Sequence, residues 1–594
     1  MNLKMATVCK KLINSVSQCV DDNLEGLVAV NPGLCLLEGH RVVVRTDVAD
    51  VIKSGKVTIV CGGGSGHEPA HAGYVGPGML TAAVAGSVFA SPPPRSILAA
   101  IRAISDGSSA GVLVIIKNYT GDRVNFGLAV ERAKAEGIKV DMVVVGEDCA
   151  LTSSDKTAGR RGLCGTVIMH KICGALAEEG RPLEEIVEIA RKATTRMGTI
   201  GLCLAPCSLP GSGPSFQLGI DEMELGLGVH GEAGIKRLKV VSAKETIQIM
   251  IDHMTNPKNS THLDLKSGDR VACMINNLGG SSVLEMNIIA KEAISLLESR
   301  GVIVERAYCG TFVTSLEMAG ASITLLHLDD TLRKCLDATT LAVAWPQPLL
   351  PAGVKLRQNP SKMKAKEVVE TKTDKEIKDV LSPAERNKLY DILKKATESI
   401  VAAKTELNEL DKESGDGDTG NTLSRGAQAI LDQLGSRESP GLPVGNPSAV
   451  AACLDSIAEN VMGGSSGGFY SLLFSSASSV LQQSLSPQVW CDALKLGIQT
   501  IMRYGGAEPG DRTMLDSLNA AHTTLASELS MKTDPVQAFR LAVQAADKTA
   551  QSTATMAARA GRASYVSKDH LKQADPGAIA VSIWMKAALM ALES

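Results

Sequence analysis

From about residue 56 to residue 330, short β-branched runs (56–61, 111–116, 140–145, 270–275, 302–307 and 322–328) alternate with helical patterns, and after about residue 345 such runs stop. That rhythm calls for layered α/β structure in the first part of the chain and for helices alone in the second. Several of the runs are apolar without alternation, as in strands covered on both faces. The stretch is too long for one small sheet, so two α/β subdomains are expected, dividing near residues 190–250. A chain of 594 residues also exceeds what one core usually organises. The segment Trp345-Pro346-Gln347-Pro348, followed by a lysine-rich, aromatic-free stretch to about residue 380, reads as a linker. Ser382, Pro383 and Glu385 then supply an N-cap, a first-turn proline and a capping-box acid. The expected plan is an α/β domain over 1–345, a linker over 346–381 and an all-α domain over 382–594.

Composition narrows the function. Lys and Arg number 61 against 64 Asp and Glu, a formal charge of -3, so there is no basic field to hold nucleic acid. The 14 cysteines include no C-x-x-C and mostly sit in apolar settings, which suits reduced thiols and a cytosolic chain. Cys203 and Cys207 lack a second ligand pair and read as packing rather than zinc ligands. No stretch approaches the roughly 20 apolar residues of a membrane helix, and no secretory signal block opens the chain, so no membrane partner is expected. Residues 4–20, with Lys4, Lys10 and Lys11 and apolar residues at helical spacing, read as a first helix docked on the core rather than a presequence.

Three loops of the first part carry chemistry. Gly62-Gly63-Gly64-Ser65-Gly66-His67 follows an apolar run, where backbone N–H groups can approach an anion or hydroxyl. A glycine-rich turn alone is as readily a tight turn, but a histidine after such a run is seldom there for packing. Lys117-Asn118-Tyr119-Thr120-Gly121-Asp122 sets an ammonium, an amide and a carboxylate at another strand end, where a solvated turn capped by Asp122 is the plainer alternative. Gly226-Leu227-Gly228-Val229-His230-Gly231 contains G-x-G-x-x-G, yet no β-branched run leads into it, so dinucleotide binding fails on context. His230 among glycines is instead an exposed imidazole, and a neutral imidazole can add to an activated carbonyl.

The helical part carries the most specific signal, Asp411-Lys412-Glu413-Ser414-Gly415-Asp416-Gly417-Asp418. Close carboxylates with intervening glycines suit a hard cation such as Mg²⁺, and no glutamate at the twelfth position supports a calcium loop. Gly463-Gly464-Ser465-Ser466 can wrap phosphates at a helix start, and Gly510-Asp511-Arg512-Thr513 can add an arginine. Gly561-Arg562-Ala563-Ser564-Tyr565 and Asp575-Pro576-Gly577 can close over a nucleotide. No Walker A lysine and no protein-kinase loop set is present.

Taken in order, Gly-Gly-Gly-Ser-Gly-His-Glu-Pro, Lys-Asn-Tyr-Thr-Gly-Asp, Gly-Val-His-Gly-Glu, Gly-Asp-Gly-Asp and Pro-Gly-Asp-Arg-Thr-Met resemble the dihydroxyacetone kinase family, in its single-chain ATP-dependent branch, over nearly the whole chain. The resemblance implies a two-part α/β substrate domain, a helical barrel for ATP and a homodimer in which one chain's helical domain serves the other's substrate domain. It implies phosphorylation of dihydroxyacetone and glyceraldehyde with Mg²⁺, through a hemiaminal on His230. Gly64, Ser65, Gly66, His67, Lys117 and Asp122 would hold the substrate, with Asp122 and His67 handling the hydroxyl proton. Asp411, Asp416 and Asp418 would hold the metal. Nucleotide contacts would come from Asp418, Thr419, Gly420, Asn421, Thr422, Ser465, Ser466, Gly510, Arg512, Thr513, Asp575, Pro576 and Gly577. Asn421 stands where relatives often have threonine. Animal members of the family also imply FAD-AMP lyase activity, releasing AMP and a cyclic riboflavin phosphate, with Mn²⁺ or Co²⁺ as its metal. The rival class is a non-catalytic carbonyl-sugar sensor, against which the aspartate cluster argues, since a sensor needs no metal-bound nucleotide.

Overall fold

The computed structural model describes residues 9–105, 110–151, 159–347, 357, 363, 378–482, 485–567 and 571–594, and the chain divides into two units, Met1–Met363 and Lys364–Ser594. The first begins with α1 (Cys19–Val30), β1 (Leu34–Leu36), β2 (Val42–Arg45), α2 (Val48–Lys53), β3 (Thr58–Ser65), β4 (Ala82–Val88), α3 (Pro94–Ser105), β5 (Val112–Lys117), α4 (Thr120–Ala135), β6 (Val140–Val145), α5 (Gly165–Glu178) and α6 (Leu183–Thr195). Its six-stranded sheet runs β1-β2-β4-β3-β5-β6, parallel from β4 to β6 and antiparallel at the β1-β2-β4 edge. Successive strand residues point to opposite faces. Val60, Val112, Val114 and Ile116 therefore meet α3 and α4, while Ile59, Cys61, Leu113 and Ile115 meet α5 and α6. Both faces being covered, these strands read as continuous apolar runs.

There follow β7 (Met197–Ala205), β8 (Glu222–Leu225), β9 (Lys236–Lys239), α7 (Ala243–Thr255), β10 (Arg270–Asn277), α8 (Val283–Ser299), β11 (Ile303–Gly310), β12 (Ala319–His327) and α9 (Asp330–Asp337). The second six-stranded sheet, β11-β10-β12-β7-β8-β9, is antiparallel except between β10 and β11. Residues of α7 and α8 cover one face, and Ala272, Met274 and Leu326 on the other join the core around α5. Helix α5 is buried from Gly165 to Ala177, packed between the sheets, which is why its sequence shows no polar stripe.

The six runs read from sequence coincide with β3, β5, β6, β10, β11 and β12. β4 and β7 were not legible as strands, because their small residues and glycines carry no β preference and depend on neighbouring strands for pairing. The glycine run is not a turn after a strand: Gly62, Gly63, Gly64 and Ser65 continue β3, and Gly62, Gly63 and Ser65 pair with β4 across an irregularity at Gly64. A strand does precede Gly226, but Gly226–Gly234 leads into the antiparallel β9 rather than a helix, so the dinucleotide reading still fails. The first helix starts only at Cys19, at the end of the 4–20 stretch; residues 9–18 are not helical, Leu12 and Val16 are exposed, and residues 1–8 lie outside the described residues. All 14 cysteines are free thiols, and Cys203 and Cys207 pack with Leu227, Leu278 and Met318.

The second unit holds α10 (Pro383–Ala402), α11 (Lys404–Asp411), α12 (Thr419–Leu434), α13 (Pro447–Ile457), α14 (Gly464–Leu481), α15 (Pro487–Gly505), α16 (Met514–Ser530), α17 (Pro535–Ser552) and α18 (Pro576–Glu593). Helix α10 starts as the sequence predicts: Ser382 Oγ accepts from Glu385 N, and the Glu385 carboxylate accepts from Ser382 N at 2.8 Å. Most of the linker stretch, from 348 to 377 apart from residues 357 and 363, lies outside the described residues. One expectation is corrected: α18, with 18 residues, is long and apolar enough by composition to span a membrane. Its Ala578, Ile579, Val581 and Met585 are buried in the helical core with Leu515, Leu518 and Val543, which accounts for that apolarity.

Candidate active site

The α/β unit gathers its chemistry at the ends of β3 and β5. Gly66 turns the chain with a φ of +95°, a region that favours glycine, and delivers His67 into a fully buried position. His67 Nδ1 lies 2.9 Å from the Thr314 carbonyl, which can only accept, so Nδ1 carries the proton and Nε2 is a bare acceptor without a protein partner. Lys117, the last residue of β5, is buried with its Nζ unpartnered. Burial pushes its pKa down, opposed chiefly by Asp122. Asp122, in the first turn of α4, accepts a short hydrogen bond from Ser91 Oγ, and burial raises its pKa against the pull of Ser91 and Lys117.

His230 meets this group edge-on. Its ring centroid is 4.9 Å from that of His67, 4.6 Å from Tyr119 and 5.4 Å from Phe89. Its loop is braced by Glu232, which accepts from the His230 backbone N–H at 2.9 Å and pairs with Arg161 at 3.3 Å. Arg161 is in turn anchored 2.6 Å from the buried Asp148. Burial first, and Lys117 second, push the His230 imidazole down to about 4, so at neutral pH it is an uncharged nucleophile. Ser65, expected to hold substrate, spends its hydroxyl on the Gly86 carbonyl at 2.8 Å and ties β3 to the neighbouring strand. Gly64 has its Cα facing backbone, since a Cβ there would fall 2.7 Å from Ala90 N.

In the helical unit, Asp411 ends α11, Asp418 immediately precedes α12 without a capping hydrogen bond, and Asp416 lies in the loop between them. Carboxylate oxygens of the three lie within 4.8 Å of one another. Buried Asp411 is held in place by accepting from the Asp418 and Thr419 backbone N–H groups at 3.0 and 3.2 Å. Arg562 pairs with Asp416 and lowers its pKa, whereas burial and then Asp416 raise that of Asp418. A cluster that strains its own ionisation and already attracts one cation fits Mg²⁺, whose preferred ligands are such oxygens. Gly420 lets α12 approach α11, because a Cβ there would sit 2.0 Å from the Lys404 carbonyl oxygen. Asn421 is engaged with Asn408, its N–H donating to Asn408 Oδ1 at 3.0 Å, and Thr422 is buried in the same turn.

The neighbouring loops are laced to this cluster. Glu413 accepts from the Lys572 and Gln573 backbone N–H groups at 2.9 and 3.0 Å. Arg512 donates through Nη2 to the Gln573 carbonyl at 2.8 Å and is buried with Nε and Nη1 unpartnered. Gly510 and Thr513 flank it, both bonded through their N–H groups to Asp516. Asp575 caps α18 ahead of Pro576 and Gly577, and burial raises its pKa to about 6. Ser465 and Ser466 stand in the first turn of α14, which packs on α12; Arg425 of α12 braces the preceding turn through the Val461 and Met462 carbonyls. Arg562 and Tyr119 lie in loops that the motifs include without giving them a role, and Phe89 in none; folding brings Arg562 beside Asp416 and the two rings beside His230.

Comparison with known proteins covers nearly the whole chain. The Dak1 domain family matches residues 25–344 and the DAK2 domain family residues 413–590. A Homo sapiens protein named triokinase/FMN cyclase is 48% identical, over 98% of this chain and 100% of its own. The crystal structure of the dihydroxyacetone kinase from C. freundii in complex with AMP-PNP and Mg²⁺ superimposes with a TM-score of 0.64 at 34% identity, covering 98% of this chain and 100% of that one. A dihydroxyacetone kinase operon co-activator, Dha-DhaQ, matches with a TM-score of 0.52 at 33% identity, but over only 56% of this chain and 99% of its own.

Proposed function

The chain belongs to the dihydroxyacetone kinase family, and from that premise we propose that it is an ATP-dependent kinase of dihydroxyacetone and glyceraldehyde that also cleaves FAD to AMP and riboflavin cyclic 4',5'-phosphate. The observation that carries this reading is the presence in one chain of a neutral His230 beside His67 and of the three-aspartate loop. The bare nitrogen of His230 adds to the substrate carbonyl carbon, the π pair moves to the carbonyl oxygen, which takes a proton, and the other ring nitrogen gives up its own, so that a neutral hemiaminal is left. Glycerol, without a carbonyl, is not held in this way. His67 Nε2 and Asp122 are disposed to take the proton of the hydroxyl that attacks the γ-phosphorus.

Asp411, Asp416 and Asp418 would hold Mg²⁺, which when bound neutralises the phosphate charge of ATP. The N-terminal turn of α12, from Thr419 to Thr422, adds the positive end of its helix dipole beside the aspartates, with its Thr419, Asn421 and Thr422 N–H groups spent within the protein, and Arg512 offers two unpartnered guanidinium nitrogens. The same aspartates would serve the diphosphate of FAD, with Mn²⁺ or Co²⁺ as the metal of that reaction. The helices pack in the cyclic order α10, α12, α14, α15, α16, α17, α18 and back to α10, which supports a helical barrel. We further place the protein in the cytosol as a homodimer. No observation favours the sensor reading, and the co-activator relative has no counterpart to the second half of this chain.

Mass spectrometry of the products formed from dihydroxyacetone with Mg²⁺ and ATP, and from FAD with Mn²⁺, tests both activities. Absence of a phosphorylated sugar from protein that binds ATP would end the kinase reading.

A further inference from the structure

His71 escaped the motif reading, yet it borders the space where Lys117 and Asp122 meet. A Cβ built on Gly63 would lie 3.6 Å from Lys117 Cε, 3.7 Å from His71 Nε2 and 3.8 Å from Asp122 Oδ2. An amine stem, an imidazole nitrogen and a carboxylate oxygen thus surround one point, left open because residue 63 has no side chain. His71 is 6% exposed, and its Nε2 has no hydrogen-bond partner. A buried polar nitrogen left unpaired is costly unless a ligand completes it. Gly63 and His71 also line a cavity of 430 Å³ that reaches Ser65, Glu68 and Ala85, so there is room for a small polar molecule on this side of β3.

The other ring nitrogen is committed. His71 Nδ1 lies 3.0 Å from His170 Nε2, on α5, and 3.5 Å from the Cys61 thiol, on β3. The groups facing His71 are therefore Cys61, His170, Lys117 on β5, Asp122 on α4, and His67 and Glu68 on its own loop. Burial first, then Lys117, keeps both rings neutral, with His170 pushed down to about 3. A neutral pair shares one proton across the 3.0 Å contact, so His71 Nε2 is bare when Nδ1 holds it, and the nearby ammonium favours that tautomer. Cys61, His71 and His170 have the spacing of a metal site. A nitrogen pair at 3.0 Å is better read as a hydrogen bond, and the Lys117 charge opposes a cation there.

We propose that His71 is a positioning residue of the carbonyl-sugar site: oriented by His170, it presents Nε2 to the hydroxyl that will be phosphorylated and holds it over Gly63 between Lys117 and Asp122. In the reaction that hydroxyl oxygen bonds the γ-phosphorus, the bond from that phosphorus to the ADP oxygen breaks, and the hydroxyl proton, shared beforehand between His71 Nε2 and the Asp122 carboxylate on either side of the Gly63 point, ends on Asp122. The inference rests on the reading of the site given above.

The test uses the full chain with Mg²⁺, ATP and dihydroxyacetone. His71→Asn keeps an amide where Nδ1 meets His170 but loses the reach to Gly63, and His71→Gln returns a polar atom near the position of Nε2. Kinase kcat should fall about tenfold or more in His71→Asn, with partial recovery in His71→Gln, an unchanged KM for ATP and unchanged FAD cleavage. His170→Gln, which loosens the orientation of His71, should give a smaller loss of the same kind. A wild-type kcat in His71→Asn, or equal loss in the Asn and Gln variants, overturns the inference. If His71→Asn fails to fold, His170→Gln decides, and a wild-type kcat there overturns it. Native mass spectrometry separates the two levels: wild-type protein that forms no adduct with dihydroxyacetone sinks the site reading itself, whereas an adduct alongside an unimpaired His71→Asn sinks only the role of His71.

Discussion

In the α/β unit, His67, His71, His170 and His230 are all held neutral by burial, with the Lys117 ammonium as the second cause. In the helical unit, Asp416 and Asp418 stay exposed, and the local cation is Arg562. The contrast follows from the tasks. A nucleophile needs its lone pair, which a low-dielectric pocket provides by excluding the protonated form. A site for a divalent ion needs several negative charges at once, which only a partly solvated loop tolerates until the ion arrives.

The strongest challenge to this division is Asp416→Asn or Asp418→Asn. Each removes one unit of charge and little volume, so kinase and FAD cleavage should both fall by roughly two to three orders of magnitude while thermal unfolding stays near wild type. Paired assays over a metal titration read this, and a variant that loses one activity alone at saturating metal would show that the two reactions do not share the loop. Next in size, His230→Ala should lower the preference for dihydroxyacetone over glycerol by roughly a hundredfold and leave FAD cleavage intact. Loss of both activities in a folded protein would refute the assignment of separate sites.

A structural probe comes third. Gly420→Ala places a methyl against the Lys404 carbonyl oxygen, at 2.0 Å before relaxation. It should destabilise the helical unit by about 1–3 kcal/mol and weaken FAD cleavage, while dihydroxyacetone still forms its adduct on His230. An unaltered melting curve would mean that α11 and α12 are free to separate.

The smallest effects concern pH, and the two units should differ in sign. A histidine whose folded pKa lies below its unfolded value binds fewer protons when folded, so His230 contributes stability that is lost as pH falls from about 6.5 towards about 4. Adduct formation should likewise persist well below pH 6.5, as native mass spectrometry across pH can show. Asp575 behaves oppositely: its pKa rises from 3.8 to about 6 on folding, so the folded state binds the extra proton, and stability declines as pH rises through that window. Asp575→Asn should therefore gain on wild type between pH 4 and 7, seen as a widening difference in melting temperature. A constant difference would place Asp575 outside this linkage.

The features legible from residue order alone are local or strongly patterned. Three aspartates within eight residues must lie close in space, Ser382 and Glu385 cap a helix through neighbouring backbone, and runs such as 111–116 are apolar enough to demand a doubly covered strand. Tertiary structure alone decided the rest. It stretched β3 through the glycines, where pairing with β4 overrode their weak β preference, and it turned an apparent membrane-length helix into the core of a bundle. It set the His67 tautomer through Thr314, 247 residues away, aligned His71 with His170 across 99 residues, and brought Arg562 to Asp416. Contacts at such separations follow from strand order and helix packing, which spacing does not encode. The neutral charge state of the histidines likewise depends on burial, a property of the packed molecule rather than of any motif.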